Sequence, residues 1–193
     1  MILVIDTSSA INALAIVEPS GQVRSELRLP ARSEDLRGTM KRFASTNALE
    51  RVAVATGPGS FTGLRVGVSF ALGLAMGLHV PVIPLPTLPL QAARADDPVL
   101  AVAEAGRGRV YYLVPGGKPA LGEPADLPTH HEAVGWVRPE TERSMLAAGV
   151  HFRPENELKT FGEGAAKMLE TAREVAYGSL RIEYMQTLSA SNS

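Results

Sequence analysis

The sequence predicts an α/β protein, built from mixed sheets with flanking helices in two subdomains, the second one reduced. Three observations carry that expectation. The chain opens on Ile2 to Ile5, a wholly apolar, β-branched run of the kind that forms a strand buried on both faces and central in its sheet. Two further extended segments follow at turn spacing, Ala13 to Val17 and the alternating Val23 to Leu29, which predicts three consecutive antiparallel strands. A second buried run, Val52 to Ala55, passes through Gly57-Pro-Gly-Ser-Phe-Thr-Gly63 into the apolar segment Leu64 to Leu78, giving the order strand, glycine loop, helix.

The remaining elements follow in order. Asp6 to Ser9 and Glu18 to Gly21 are turn clusters between the first strands. Ser33 is an N-cap with acidic residues behind it, and Leu36, Met40, Phe43 and Ala44 recur at helical spacing up to about Asn47. Pro81 to Leu85 reads as a strand and Thr87 to Ala93 as a short helix. Val99 to Glu104 and Arg109 to Val114 form a hairpin about Ala105 to Gly108. Beyond Pro115 the pattern weakens: Val134 to Val137 reads as an edge strand, Ala165 to Tyr177 as a helix and Ser189 to Ser193 as a loose tail. The expected division is an N-terminal subdomain over 1–98, holding the glycine loop and its helix, and a smaller one over 99–193.

Composition narrows the function. With 193 residues and 45% hydrophobic content the chain can bury a real core. Nineteen Lys and Arg against 20 Asp and Glu leave a net charge of -1, which offers no general field for a phosphate backbone and disfavours a stand-alone nucleic-acid binder. No cysteine is present, which excludes thiolate chemistry and disulfides. The N-terminal run lacks a basic leader and a small-residue cleavage site, so a cytoplasmic protein is expected. The segment from Val66 to Leu90 carries no Lys, Arg, Asp or Glu, but Pro81, Pro84, Pro86 and Pro89 break it, and no membrane span is expected.

Two motifs bear on chemistry. A buried strand ending in Asp6, followed by Thr7, Ser8 and a hairpin, is how sugar kinases, actin and Hsp70 chaperones build their first phosphate-contacting loop. Asp, Ser and Thr also dominate ordinary turns, so the cluster alone is a turn. The glycine loop is more informative, because glycines between a strand and a helix N-terminus let backbone N–H groups approach an anion. It is not a P-loop: Gly63 is followed by Leu64 and Arg65, so the phosphate-reaching lysine is missing. Asp6, Thr7, Ser8, Gly57, Gly59 and Ser60 are therefore read as a vestigial phosphate-loop region, with Gly57 and Gly59 at positive φ and Ser60 or Thr62 capping the helix. The four histidines, His79, His130, His131 and His151, show no metal-ligand spacing, and neither a metal site nor a catalytic residue is expected.

The helix after the loop has apolar or small residues on every side past Arg65 and needs cover all round. Gly63, Gly67, Ala71 and Ala75 lie four apart on one stripe; Ser69, Gly73 and Gly77 lie four apart on another. The expectation is a subunit interface formed by Gly63, Leu64, Gly67, Phe70, Ala71 and Leu74, with a homodimer through the same surface in isolation.

Met1-Ile-Leu-Val-Ile-Asp-Thr-Ser together with Gly57-Pro-Gly-Ser-Phe-Thr-Gly-Leu-Arg-Val-Gly67 resembles the TsaB (YeaZ) family. The resemblance covers about the first 115 residues, including Pro86 to Leu88. It implies an actin-like ASKHA (ribonuclease H-like) fold and a non-catalytic scaffold role in making N6-threonylcarbamoyladenosine (t6A) in tRNA. It also implies pairing with a TsaD-like subunit through the helices near the glycine motif, with metal and ATP on the TsaD-like and TsaE-like partners and no intrinsic cofactor. The sequence departs from the family at Ser33, at Glu104-Ala105-Gly106, and near Tyr184, where Gln186 stands in an arginine position. The competing reading is an independent enzyme, either an ASKHA-type ATP-dependent phosphotransferase or a glycoprotease-like peptidase.

Overall fold

The computed structural model describes residues 1–31, 36–45 and 48–185, so the expected Ser33 cap, Asn47, Gln186 and the 189–193 tail lie outside the described residues. Nine strands and five α-helices follow in chain order among those residues: β1 (Ile2–Asp6), β2 (Ile11–Val17), β3 (Val23–Pro30), α1 (Leu36–Ser45), β4 (Arg51–Gly57), α2 (Phe61–Leu78), β5 (Val82–Pro86), α3 (Thr87–Ala92), β6 (Leu100–Gly106), β7 (Arg109–Leu113), β8 (Ala120–Gly122), β9 (Ala133–Trp136), α4 (Pro139–Ala147) and α5 (Phe161–Leu169). The first sheet has the order β3-β2-β1-β4-β5 and the second β8-β7-β6-β9.

The apolar run of β1 puts it at the centre of the first sheet, antiparallel to β2 with Ile5 opposite Leu14 and parallel to β4 with Leu3 opposite Val52. Because side chains alternate along a strand, each strand feeds two cores. Leu3, Ile5, Leu14, Ile16, Val52, Val54 and Val82 face Val68, Ala71 and Ala75 of α2 and Met40 of α1. Ile2, Val4, Ala13, Ala15, Ala53, Ile83 and Leu85 face Leu90 of α3 and Phe161 and Ala165 of α5. The second sheet packs Leu100, Val102 and Val110 against Met145 of α4.

Residue 98 separates the two sheets along the chain, but the residues after it are not confined to the second sheet. α5 returns to the first sheet, where a capping box links Thr160 and Glu163 and the Glu26 carboxylate of β3 accepts from the Gly162 amide at 2.7 Å. It is also earlier and shorter than the expected Ala165 to Tyr177, ending at Leu169. β8 and α4 come from the weakly patterned region and were not anticipated by it.

The return is held by ions as well as by core. Glu155 bonds the guanidinium groups of both Arg28 on β3 and Arg94 after α3, and Arg94, itself buried, donates to the Lys159 carbonyl at 3.1 Å. Partial burial raises the Glu155 carboxyl, but the two arginines outweigh it and hold the group below its usual value of 4.5. Stability from this group is therefore present above pH 4.5 and is lost as pH falls through the lower folded value. Urea midpoints of wild type and Glu155→Gln, followed against pH, should differ near neutrality and converge on acidification; a gap that stays constant down to acid would remove Glu155 from the account.

Candidate functional site

α2 starts where Ser60 caps it, its Oγ accepting from the Gly63 amide at 3.2 Å, and ends where His79 takes the left-handed conformation at φ 57°. Beneath its first turns lies the β1–β2 turn. The Thr7 hydroxyl donates to the Gly63 carbonyl at 2.7 Å, and the Ser60 amide donates to the Ser8 carbonyl at 2.6 Å. A Cβ at Gly63 would stand 1.9 Å from the Thr7 carbonyl oxygen, and one at Gly67 2.2 Å from Thr7 Oγ1. Both glycines are thus required for the helix to lie directly on the turn.

This corrects the expected interface. Gly67 and Ala71 face the chain's own sheet, and Leu64, 1% exposed, contributes about 2 kcal/mol to the core by its burial. Gly63 is held against Thr7. Phe70 and Leu74 are half-buried and line a groove of about 390 Å³ with Lys41 and Ala44 of α1 and with Ser69 and Gly73. The open face of α2 is instead the other small-residue stripe, Ser69, Gly73 and Gly77, flanked by Val66 and Met76, which are 44% and 55% exposed. A Cβ at Gly73 or Gly77 would meet nothing within 4 Å. Among the described residues α2 is the one helix long and apolar enough to cross a bilayer, but here it is the crossover of a βαβ unit with one side packed on the sheet.

The vestigial phosphate-loop residues do come together, and several of their donors are used internally. The Ser60 amide goes to Ser8, the Gly63 amide to Ser60, and the Gly57 amide to the Thr87 hydroxyl at 3.1 Å. Gly57 has φ 113° as expected; Gly59 does not have positive φ and is needed because its Cβ would lie 2.5 Å from the Ser8 carbonyl. The β1–β2 turn thus lies directly against the loop, while the Gly59, Phe61 and Thr62 amides have no protein acceptor among the described residues.

Asp6, 3% exposed, accepts from the Ser8 amide at 2.8 Å, and burial pushes its carboxyl up against the lowering pull of Ser8. Asn at this position keeps the acceptor and removes the buried charge. Asp6→Asn should therefore melt at or above the wild-type temperature at pH 7. Its advantage should shrink as pH falls, because a raised folded value means wild-type stability is fullest below 3.8 and declines as pH rises. Asp6→Ala, which orphans the amide, should cost about 1–3 kcal/mol. An Asn variant melting well below wild type at pH 7 would show that the charge itself is needed.

A C-terminal strap, not anticipated from sequence, clamps α2 from the side. The Tyr177 hydroxyl donates to the Val80 carbonyl at 2.8 Å, the Glu183 amide donates to the Thr56 carbonyl at 2.7 Å, and the Tyr184 ring lies 5.4 Å from that of Phe61. Arg65 completes the cluster, stacked 3.7 Å over Phe61 and donating to the Tyr184 hydroxyl at 3.2 Å. Among the described residues no three His, Asp or Glu side chains gather as metal ligands.

A central strand paired on one side with an antiparallel meander and on the other with a βαβ unit, with a second sheet following, defines an actin-like, ribonuclease H-like protein whose loop is closed on itself and whose glycine-loop helix is open on one side. A family model described as "TsaD: tRNA N6-adenosine threonylcarbamoyltransferase" matches residues 39–178. The chain belongs to that family, and within it to the TsaB (YeaZ) group. The tRNA threonylcarbamoyladenosine biosynthesis protein TsaB of Haemophilus influenzae is 41% identical over 71 residues, 34% of this chain and 30% of that protein. The Bacillus subtilis protein of the same name is 29% identical over 120 residues, 57% of this chain and 52% of that protein. The chain thus matches from about a third to about half of these relatives' length. Among solved structures, YeaZ from Pseudomonas aeruginosa superimposes with TM-score 0.55 at 24% identity, over 66% of this chain and 71% of that one. A second structure, described as a protein with similarity to peptidase YEAZ from Pseudomonas aeruginosa, gives TM-score 0.69 at 20% identity over 96% and 99%. These two likenesses concern the fold.

Proposed function

We propose that this chain serves t6A synthesis in tRNA as a non-catalytic subunit that pairs with a TsaD-type subunit through the open face of α2 and the adjoining groove with α1. The observation that carries the reading is the pairing of two features on one helix. Its inner stripe is used up on the β1–β2 turn, while its outer stripe of small residues, flanked by the apolar Val66 and Met76, is uncovered. Small residues let a partner helix approach closely, and Val66, Phe70 and Met76 supply the contact area. The names of the relatives and the TsaD-type family match supply the pathway and the partner class.

In this reading the chain carries no cofactor of its own, ATP and metal belong to the TsaD-type and TsaE-type partners, and tRNA is met only in the assembly. Without a partner the same face pairs two copies of the chain. The independent phosphotransferase finds less support, since Gly63 is followed by Leu64 and Arg65 and the phosphate-reaching lysine is missing. The peptidase likewise finds no support among the described residues.

The purified chain should neither hydrolyse ATP nor cleave peptides. Added to a TsaD-type subunit, a TsaE-type ATPase and unmodified tRNA, it should raise t6A formation from background. Steady ATP turnover by the chain alone, lost in Asp6→Ala, would overturn the non-catalytic assignment.

A further inference from the structure

A pocket of about 230 Å³ lies in the second layer, where the two-residue β6–β7 turn meets the start of α4, and it is lined among others by Glu104, Arg107, Arg138, Glu140, Thr141 and Ser144. α4 is nine residues long and its N-cap, Arg138, offers no side-chain cap; the first intrahelical bond is made by Glu142 to the Arg138 carbonyl. The amides of Glu140 and Thr141 are thus left without a protein acceptor among the described residues, as expected for an uncapped first turn.

Thr141 is the second and independent observation. It is 4% exposed, one turn before the core residue Met145, and its hydroxyl makes no hydrogen bond although it lines the pocket. Unlike the sealed Thr56 hydroxyl, the Thr141 Oγ1 is not fully enclosed by the protein, so an acceptor that enters from the pocket can reach it.

Two cations face the same space. Arg107 and Gly108 form the turn, both at positive φ (56° and 73°), where asparagine or glycine is favoured, so an arginine there is unusual. Neither the Arg107 nor the Arg138 guanidinium has an ion-pair partner among the described residues. The opposing charges are accounted for. Glu104 lends its two carboxylate oxygens to the Gly106 and Arg138 amides, each at 2.9 Å, and Glu140 is exposed. Ser144 is occupied as a donor to the Glu140 carbonyl at 3.1 Å. Two arginines, two helix amides and one hydroxyl from different elements border the same pocket, a donor set suited to the several oxygens of a tetrahedral anion.

We propose that this pocket binds a single phosphate group, supplied by an RNA backbone or by a free phosphate compound. The site goes beyond the pairing role above and stands without it. The test uses the isotope-labelled full chain and inorganic phosphate, titrated at constant ionic strength against chloride while the Glu140 and Thr141 amide resonances are followed. Saturable shifts are expected, with binding at least tenfold weaker in Thr141→Val and in Arg107→Gly. Both variants should keep their fold, because valine is isosteric and glycine suits the left-handed turn. Unmodified tRNA is then added. Displacement of phosphate by tRNA, sensitive to the same two substitutions, assigns the RNA backbone as the source; phosphate shifts that persist assign a free compound. Shifts that never saturate, or that are equal in wild type and both variants, overturn the site. So does a folded Thr141→Val protein that binds as before, since the hydroxyl then takes no part in the site.

Discussion

Gly63→Ala should destabilise this protein by about 3 kcal/mol or more, at the upper end of what overpacking costs, whereas Gly73→Ala on the opposite side of the same helix should stabilise it by up to about 1 kcal/mol. At Gly63 the new methyl would sit 1.9 Å from the Thr7 carbonyl oxygen, and that oxygen is backbone. The turn cannot retreat without breaking the Ser60-to-Ser8 and Thr7-to-Gly63 bonds, so the helix must lift and uncover Leu64 and Val68. At Gly73 the methyl meets nothing within 4 Å, and the substitution removes only the extra freedom glycine has in the unfolded chain. In a chain of this size roughly 2–4 °C of melting temperature corresponds to each kcal/mol, so the two variants should melt on the order of 10 °C apart. Equal melting temperatures would mean that the faces of α2 are misassigned.

Much of this architecture was legible because the first half speaks in clear periods. The buried run of β1, the alternation of β3 and the strand, glycine loop and helix order of β4 and α2 each have one physical solution, and the structure adopts it. The cap was narrowed by residue type to Ser60 or Thr62, and the structure uses Ser60. The second half hid β8 and α4 because three-residue strands and a helix of mixed polarity leave no period to read, and α5 was misplaced because its first turn contains two glycines that look like loop.

The inner and outer stripes of α2 were confused for a more specific reason. Both are small residues spaced four apart, and only the position of Thr7, 56 residues before its Gly63 partner, decides which one is buried. A signal was nevertheless present. Thr62, Arg65 and Ser69 are the polar residues of α2, and all three are exposed, so the stripe running from Arg65 through Ser69 to Gly73 and Gly77 was marked as outward. The Tyr177, Glu183 and Tyr184 strap was not legible at all, because a segment without regular structure announces no register against a distant helix.

Gly73→Arg should abolish association through α2 while leaving the fold intact. The site is open in the monomer, arginine is a better helix former than glycine, and melting should be unchanged or slightly raised. Lys41 lines the same groove, so the new charge finds no compensating carboxylate there. Once a partner helix covers the face, the variant must either bury an unpaired cation or hold the helices apart, at a cost of about 3–5 kcal/mol, which is at least a hundredfold in affinity. The same substitution should convert a homodimer of the isolated chain to monomer on sizing. The decisive measurement is a calorimetric titration of a TsaD-type subunit into wild-type and Gly73→Arg chains of equal melting temperature. The account predicts a saturable heat for wild type and none for the variant at the same concentrations; wild-type affinity in the folded variant would contradict the claim that this chain works through the open face of α2.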